Sequence, residues 1–408
     1  MKVLGIVAEY NPMHNGHIHH INISKEIVEP DYTICVMSGF FTQRGEPAIF
    51  DKWERARHAV QNGIDLVIEI PYVYACNSGR FFASAAMDLL NGIGVVTDFS
   101  FGAESDLHSL QKTAEAYVNA SELNVDVKSF LKKGNSYPKA VELSIAEYDK
   151  NLSEVLRHPN NLLGIEYLKR IQEKKYNIIP HVIARLGDYR SLENDEYISS
   201  TAARKYILAG DMNLIRDKIP TEISISENQI ESILQARVKL FDILRYCVSV
   251  ASGEELKKIL TVDEGLENRL IKNIPFARDL EHLIYLISSK RYTYARTRRM
   301  LLHVITGLTK ADFGEIFINA PGFIRILSFN DSGAELLNII KKQKASELPV
   351  ITNLSPKFNF PESVERILKY DKIACDIYNI LMGRDLYLNC EYINHPIVVK
   401  NKSKGADL

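Results

Sequence analysis

The chain has 408 residues, a length that suggests two or three domains with ample material for a buried core. Fifty basic against fifty-one acidic residues give a formal net charge of −1, which argues against wholesale coating of nucleic acid though not against a local basic face. The five cysteines (Cys35, Cys76, Cys247, Cys375, Cys390) show no metal-ligating spacing and read as structural thiols of a reduced intracellular protein, and no run of about 18 apolar residues predicts a membrane span. A signal-peptide pattern is also missing, so the expected location is cytoplasmic.

The first element, 3–8, is a short β-branched run that reads as a buried strand. Pro12 cannot donate to a sheet and restricts Asn11, so the strand ends before it. His14-Asn15-Gly16-His17 then opens a helix to about Ile27. A helix start offers unpaired N–H groups and a partial positive charge, Gly16 admits a bulky anion, and His14 and His17 stand one turn apart. Phosphate is the ligand expected there. Strands follow at 32–37, 66–70 and about 99–103, separated by a long loop from Ser38 to Pro47, a helix capped by Asp51, and a helix over 79–90. Residues 106–150 read as a polar, helical insertion. A helix beginning near Asn161 precedes a fifth strand, 178–185, whose Pro180 suggests a sheet edge. This alternation predicts a parallel sheet with helices on both faces, an α/β fold whose ligands sit beyond the carboxyl ends of the strands.

Hydroxyls and a base recur at Ser199-Ser200-Thr201 and Arg204, where a helix start makes a second anion site. Residues 218–228 lose helical periodicity and read as a linker. Five helices are expected beyond it, at about 229–250, 254–260, 264–273, 278–288 and 293–306. The last carries Arg296, Arg299 and His303 on one face, with Lys290, Arg291 and Arg298 nearby and Tyr292 and Tyr294 interleaved, a pattern suited to phosphates and stacked bases. A solvated or salt-bridged basic helix fits the same composition. From about 320 the pattern becomes α/β again, with strands at 323–327 and 350–352, a helix over 361–382, and a tail holding Lys400, Lys402 and Lys404 that reads as disordered. The expected division is 1–220 for a catalytic domain and 221–408 for a mostly helical nucleic-acid-binding region with a small α/β segment at its end.

His14-Asn15-Gly16-His17 after a first strand resembles the HxGH signature of the nucleotidyltransferase superfamily, and Ser199-Ser200-Thr201 with Arg204 is similar to its ISSTxxR motif. The whole chain resembles one bacterial family within it, the tRNA(Met) cytidine acetate ligases. The matching runs include 7–17, 37–39, 43–48, 67–71, Pro159-Asn160-Asn161 with Leu163-Gly164, and Lys290-Arg291-Tyr292-Thr293; Met13 departs from the family's Phe. The resemblance implies a Rossmann-like fold and a two-step reaction. Acetate attacks the α-phosphate of ATP, giving acetyl-adenylate and pyrophosphate. The N4 amine of the wobble cytidine of elongator tRNA(Met) then takes the acetyl group, and AMP leaves. It implies His14 and His17 as the catalytic pair. ATP binding falls to Val7, Ala8, Glu9, Tyr10, Asn11, Pro12, Met13, His14, Asn15, Gly16, His17, Ile18, His19 and His20. Gly102, Asn161, Arg185, Ser200, Thr201 and Arg204 complete that set. Ser38, Gly39, Gln43 and Arg44 are expected to orient acetate or phosphate. Lys290, Arg291, Arg296, Arg298, Arg299 and His303 are expected to hold the tRNA, and Mg²⁺ to accompany the triphosphate. A small-metabolite adenylyltransferase and a nucleotide-binding RNA scaffold remain as alternatives. A metal site among His14, His17, His19 and His20 is set aside, since no carboxylate or cysteine stands at ligand spacing.

Overall fold

The structure, a computed structural model, describes residues 1–118, 127–185, 197–318, 321–355, 357–384 and 390–400. Eight strands form one sheet: β1 (Val3–Ala8), β2 (Tyr32–Ser38), β3 (Leu66–Ile70), β4 (Asp98–Ala103), β5 (Ile179–Ala184), β6 (Ile324–Phe329), β7 (Val350–Ile351) and β8 (Ile397–Val398). The order β5-β4-β1-β2-β3 is parallel throughout, with β5 and its Pro180 at the edge as the proline demands. Their residues Val3, Leu4, Ile34, Val36, Leu66 and Ile68 are fully buried, as expected of a parallel sheet covered on both faces.

Helix α1 (Asn15–Val28) follows β1 and helix α2 (Lys52–Gln61) follows β2; the Asp51 carboxylate caps α2 by accepting from the Glu54 N–H at 2.8 Å. From β1 the chain builds outward to β2 and β3 on one side and to β4 and β5 on the other. The crevice at that reversal is where open α/β sheets bind ligands. The insertion contributes helices Leu107–Val118, Val127–Lys132, Tyr137–Tyr148 and Lys150–Val155.

The two C-terminal strands expected from sequence do form, and they join this same sheet: β6 pairs antiparallel with β3, and β7 and β8 pair with β6. A buried charge cluster secures the join. The Lys52 ammonium bonds Glu69 of β3 at 2.6 Å and also Glu391, while Arg325 of β6 stands 3.9 Å from Glu391. All four side chains are nearly inaccessible, so removing one member would strand a charge in the core. The helices Glu227–Val250, Tyr294–Thr306 and Glu362–Met382 pack on one another, and the last also packs on the short helix Tyr72–Ala75 that follows β3. No helix of the described residues is long and apolar enough to cross a membrane. Lys402 and Lys404 of the expected tail lie outside the described residues.

Candidate active site

Beyond the end of β1 the backbone turns sharply. Tyr10 takes φ 45°, the Asn11–Pro12 peptide is cis, and α1 begins at Asn15. Two buried anchors fix the turn. Asn11 accepts from the Ile49 N–H at 2.8 Å, and Arg55 donates to the carbonyls of Glu9, Ser38 and Gly39, so one buried guanidinium joins the turns after β1 and β2. Asn15 reaches the other way, donating through its side chain to the Asp217 carbonyl at 2.8 Å.

This turn and the start of α1 form one wall of a cavity of about 310 Å³. The rings of His14 and His17 stack at 3.7 Å between centroids, with Tyr10 edge-on to His17 at 5.0 Å. His17 Nδ1 accepts from the His14 N–H at 3.2 Å, which places the proton of a neutral His17 on Nε2 as a donor. His14 Nδ1 is buried with no hydrogen-bond partner among the described residues, an orphaned polar atom suited to a ligand. Burial, together with the positive charge of Arg185 and Arg204, pushes His14 down to about 3; burial and the neighbouring His14 hold His17 well below its usual range. Both are therefore neutral. An anion entering the cavity would reverse the field and favour the charged, doubly donating form of His14.

The opposite wall is the start of helix Ser200–Ala209. Ser199 caps it, accepting from the Ala202 N–H at 3.2 Å, while Ser200, Thr201 and Arg204 face the void. Arg204 also donates to the Asn11 carbonyl at 2.8 Å, tying the two walls together. Gly102 and Arg185 stand at the ends of β4 and β5; a Cβ on Gly102 would meet the Arg185 side chain at 3.4 Å, so glycine lets that side chain lie across the strand end. Gln43 and Arg44 enter from the loop after β2.

Thus Val7, Ala8, Glu9, Tyr10, Asn11, His14, Gly16, His17, His19, His20, Gln43, Arg44, Gly102, Arg185, Ser200, Thr201 and Arg204 converge on one cavity. Seven of the residues expected to bind ATP or to orient acetate or phosphate do not line it. Met13 is packed in the core, Pro12 is buried in the turn, Asn15 is bonded to the Asp217 carbonyl, and Ile18 packs against the core. Ser38 is buried beneath Arg55, and Gly39 lies against Glu69. Asn161 is the seventh. It is fully buried, accepts from the N–H groups of Glu104 and Ser105, and donates to Ser105 Oγ and the Val155 carbonyl, so it fastens the β4 exit. Its neighbour Asn160 faces the cavity instead, with Leu163 and Tyr167 at i+3 and i+7 on the same helix face; Phe82, Phe101 and Tyr197 complete an apolar and aromatic side that the motifs did not point to.

The basic helix Tyr294–Thr306 differs more from expectation. His303 is fully buried, donates from Nε2 to the Cys76 carbonyl at 2.9 Å and is pushed down to about 4 by burial, so it cannot meet an RNA. Arg299 is half-buried and donates to the Gln43 carbonyl at 2.8 Å. Arg298 pairs with Glu46 and with Glu281 at 2.9 Å, and Arg291 pairs with Glu264. Gly45, at φ 74°, has room for no Cβ, which would lie 2.5 Å from the Arg299 backbone nitrogen. The inner face of this helix therefore braces the loop that delivers Gln43 and Arg44. Lys290 remains exposed, and Arg296 lies over the Tyr292 ring at 4.7 Å.

Among known proteins, the family model described as HIGH Nucleotidyl Transferase matches residues 1–389. The tRNA(Met) cytidine acetate ligase of Clostridium perfringens is 37% identical over 415 residues, covering 98% of this chain and all of its own, and that of Thermoanaerobacter pseudethanolicus is 38% identical over 406 with the same coverage. The crystal structure of Thermotoga maritima TmcAL bound with alpha-thio ATP superimposes with a TM-score of 0.85 at 32% identity, over 98% of this chain and 100% of that one.

Proposed function

The chain belongs to the HIGH nucleotidyltransferases and, among them, to the tRNA(Met) cytidine acetate ligases, and from that membership we propose how its cavity carries out the reaction. The enzyme is an ATP-dependent ligase: it forms acetyl-adenylate from acetate and ATP, and transfers the acetyl group to N4 of the wobble cytidine of elongator tRNA(Met), giving N4-acetylcytidine. The observation that carries the proposal is the stacked His14–His17 pair facing Arg185 and Arg204 across the crevice beside β1.

ATP would lie with its phosphates between the α1 start and the Ser200–Arg204 helix start. Donors from His14 and His17 would meet the charge that develops at the α-phosphorus as acetate attacks in line, and Ser200, Thr201 and Arg204 would hold the departing pyrophosphate. Gln43 and Arg44 enter on the β2 side and would orient acetate. Mg²⁺ would be carried in by the triphosphate, since the described residues contain no group of three His, Cys, Asp or Glu placed to hold a metal; it would neutralise phosphate charge. The transferred acetyl group is then offered to a cytosine drawn out of its stack. Residues 1–220 would supply this chemistry, and the tRNA would cross 221–408 along the outer edge of helix Tyr294–Thr306, with Lys290 and Arg296 on its phosphates and Arg291 and Arg298 weakened by their acidic partners. The membrane-free, cytoplasmic setting of translation is the expected location.

The test incubates purified protein with ATP, Mg²⁺, labelled acetate and bulk bacterial tRNA, and follows label into acid-precipitable RNA. ATP-dependent label that maps to one cytidine is the expected result. Pyrophosphate release onto a small metabolite, with no label in RNA, would identify a coenzyme-type adenylyltransferase instead.

A further inference from the structure

The ligase reaction makes two demands of opposite kind on one cavity. In the first step an anion attacks a phosphorus and no proton moves. In the second a neutral amine attacks a carbonyl and must lose a proton for the amide to form. The cavity is built for the first demand, with Arg44, Arg185, Arg204 and four histidines on its walls. Among its described lining residues Glu9 is the one acid. A carboxylate there works against the binding of two anionic substrates, and the adenylation step has no use for it.

Resting on the function proposed above, we propose that Glu9 is the general base of the acetyl-transfer step. The N4 nitrogen forms its bond to the acetyl carbon, the bond from that carbon to the phosphate oxygen breaks and AMP leaves with the electron pair, while one N4 proton passes to the Glu9 carboxylate. The proton returns to water when the products leave, so no further reactant is required.

The geometry suits that role. Glu9 directly follows β1 at the carboxyl edge of the central strand, in the turn that leads to His14 and His17. Its main-chain carbonyl is held by Arg55, and its Oε1 accepts from the Gln43 N–H at 2.7 Å, so the carboxylate is fixed in orientation. Two of the cavity's histidines are otherwise engaged: His17 Nδ1 takes the His14 N–H, and His20 Nε2 stands 3.2 Å from Ser100 Oγ. Burial raises Glu9 above the usual carboxylate range, opposed by the Gln43 N–H and by the charges of Arg44, Arg204 and Arg55. A base so raised accepts a proton more readily than a solvated carboxylate.

Glu9→Gln keeps the size and the acceptor for Gln43 while removing the base. Two rates are read on the same preparation: acetate-dependent ATP–pyrophosphate exchange, and single-turnover transfer from preformed acetyl-adenylate to tRNA. The ratio of transfer to exchange should fall about 10²-fold or more in the variant. The wild-type transfer rate should rise with pH along a limb that Glu9→Gln lacks, and Glu9→Asp should recover part of the loss. Equal losses in both rates would reduce Glu9 to a structural support of the turn. An undiminished transfer rate would assign the proton to another acceptor, such as His19 or the departing phosphate. Failure of the wild-type protein to acetylate tRNA at all would overturn the ligase reading itself, and this proposal with it.

Discussion

The cavity beside β1 and the basic helix Tyr294–Thr306 carry similar residues and use them in opposite ways. In the cavity, arginines and histidines from four separate segments line a void, and the buried His14 Nδ1 has no partner among the described residues. On the helix, Arg298 is paired with Glu46 and Glu281, Arg299 is committed to a carbonyl, and His303 lies in the core. One region gathers its charges around a cavity; the other has turned most of its donors to partners within the fold. The difference shows that a count of positive charge says little until the partners of each charge are known.

The sharpest way to break the comparison is His17→Ala. If the cavity donors act on the α-phosphorus, ATP–pyrophosphate exchange should fall about 10²- to 10³-fold, as for loss of one preorganised donor to a transition state. Thermal stability should change little, because His17 packs at the cavity wall. His303→Ala should do the reverse. It leaves the Cys76 carbonyl without its donor and opens a void, so unfolding in urea should show a loss of about 2–3 kcal/mol. Exchange per folded molecule should remain near wild type. Similar profiles for the two variants would mean that the two histidines do not differ as the structure says.

What was legible in the sequence was what is local in the chain. The strand, proline turn and HxGH helix start are contiguous, and Ser199–Arg204 lies at a single helix start, so local spacing pointed to anion sites and the family resemblance supplied their chemistry. Rotation about a helix was less legible. Asn160 and Asn161 differ by about 100° around the axis, and only the face shared with Leu163 and Tyr167 identifies Asn160 as the one that meets the cavity. His303 misled for the same reason: its face also carries Met300, which is buried, so the stripe that looked basic is partly the packing face. The partner of β6 was beyond reach, because an antiparallel addition beside β3 depends on a contact across about 250 residues that no local pattern encodes.

A pH titration separates the regions more finely. Burial pushes His14 down to about 3 and His20, His58 and His303 down to about 4. Below about pH 6.5 the unfolded chain takes up protons that the folded one refuses, so stability falls as pH drops through that value toward 4 and recovers as it rises. At pH 5.5 each such histidine should cost about 1.4 kcal/mol. ATP should relieve this only in the cavity, where its charge favours protonated His14 and His20. Calorimetry in buffers of different ionisation enthalpy should then record proton uptake on ATP binding at pH 6. His14→Gln should reduce that uptake, and His303→Gln should leave it intact. Uptake lost equally in both would place the titrating group outside the cavity.

The smallest expected effect tests whether the outer edge of the helix meets RNA at all. Arg296 sits over Tyr292, and Lys290 is exposed beside it. One phosphate contact contributes about one unit to the slope of log affinity against log salt, and little to discrimination between sequences. Arg296→Ala should therefore weaken tRNA binding a few-fold at low salt and flatten that slope by slightly less than one unit, while exchange in the absence of tRNA stays as it was. Arg299→Ala gives the contrast: it releases the Gln43 carbonyl, so exchange should suffer and the salt slope should not. If Arg296→Ala leaves the slope untouched, the helix is a brace on both faces, and the tRNA must reach the cavity across another surface.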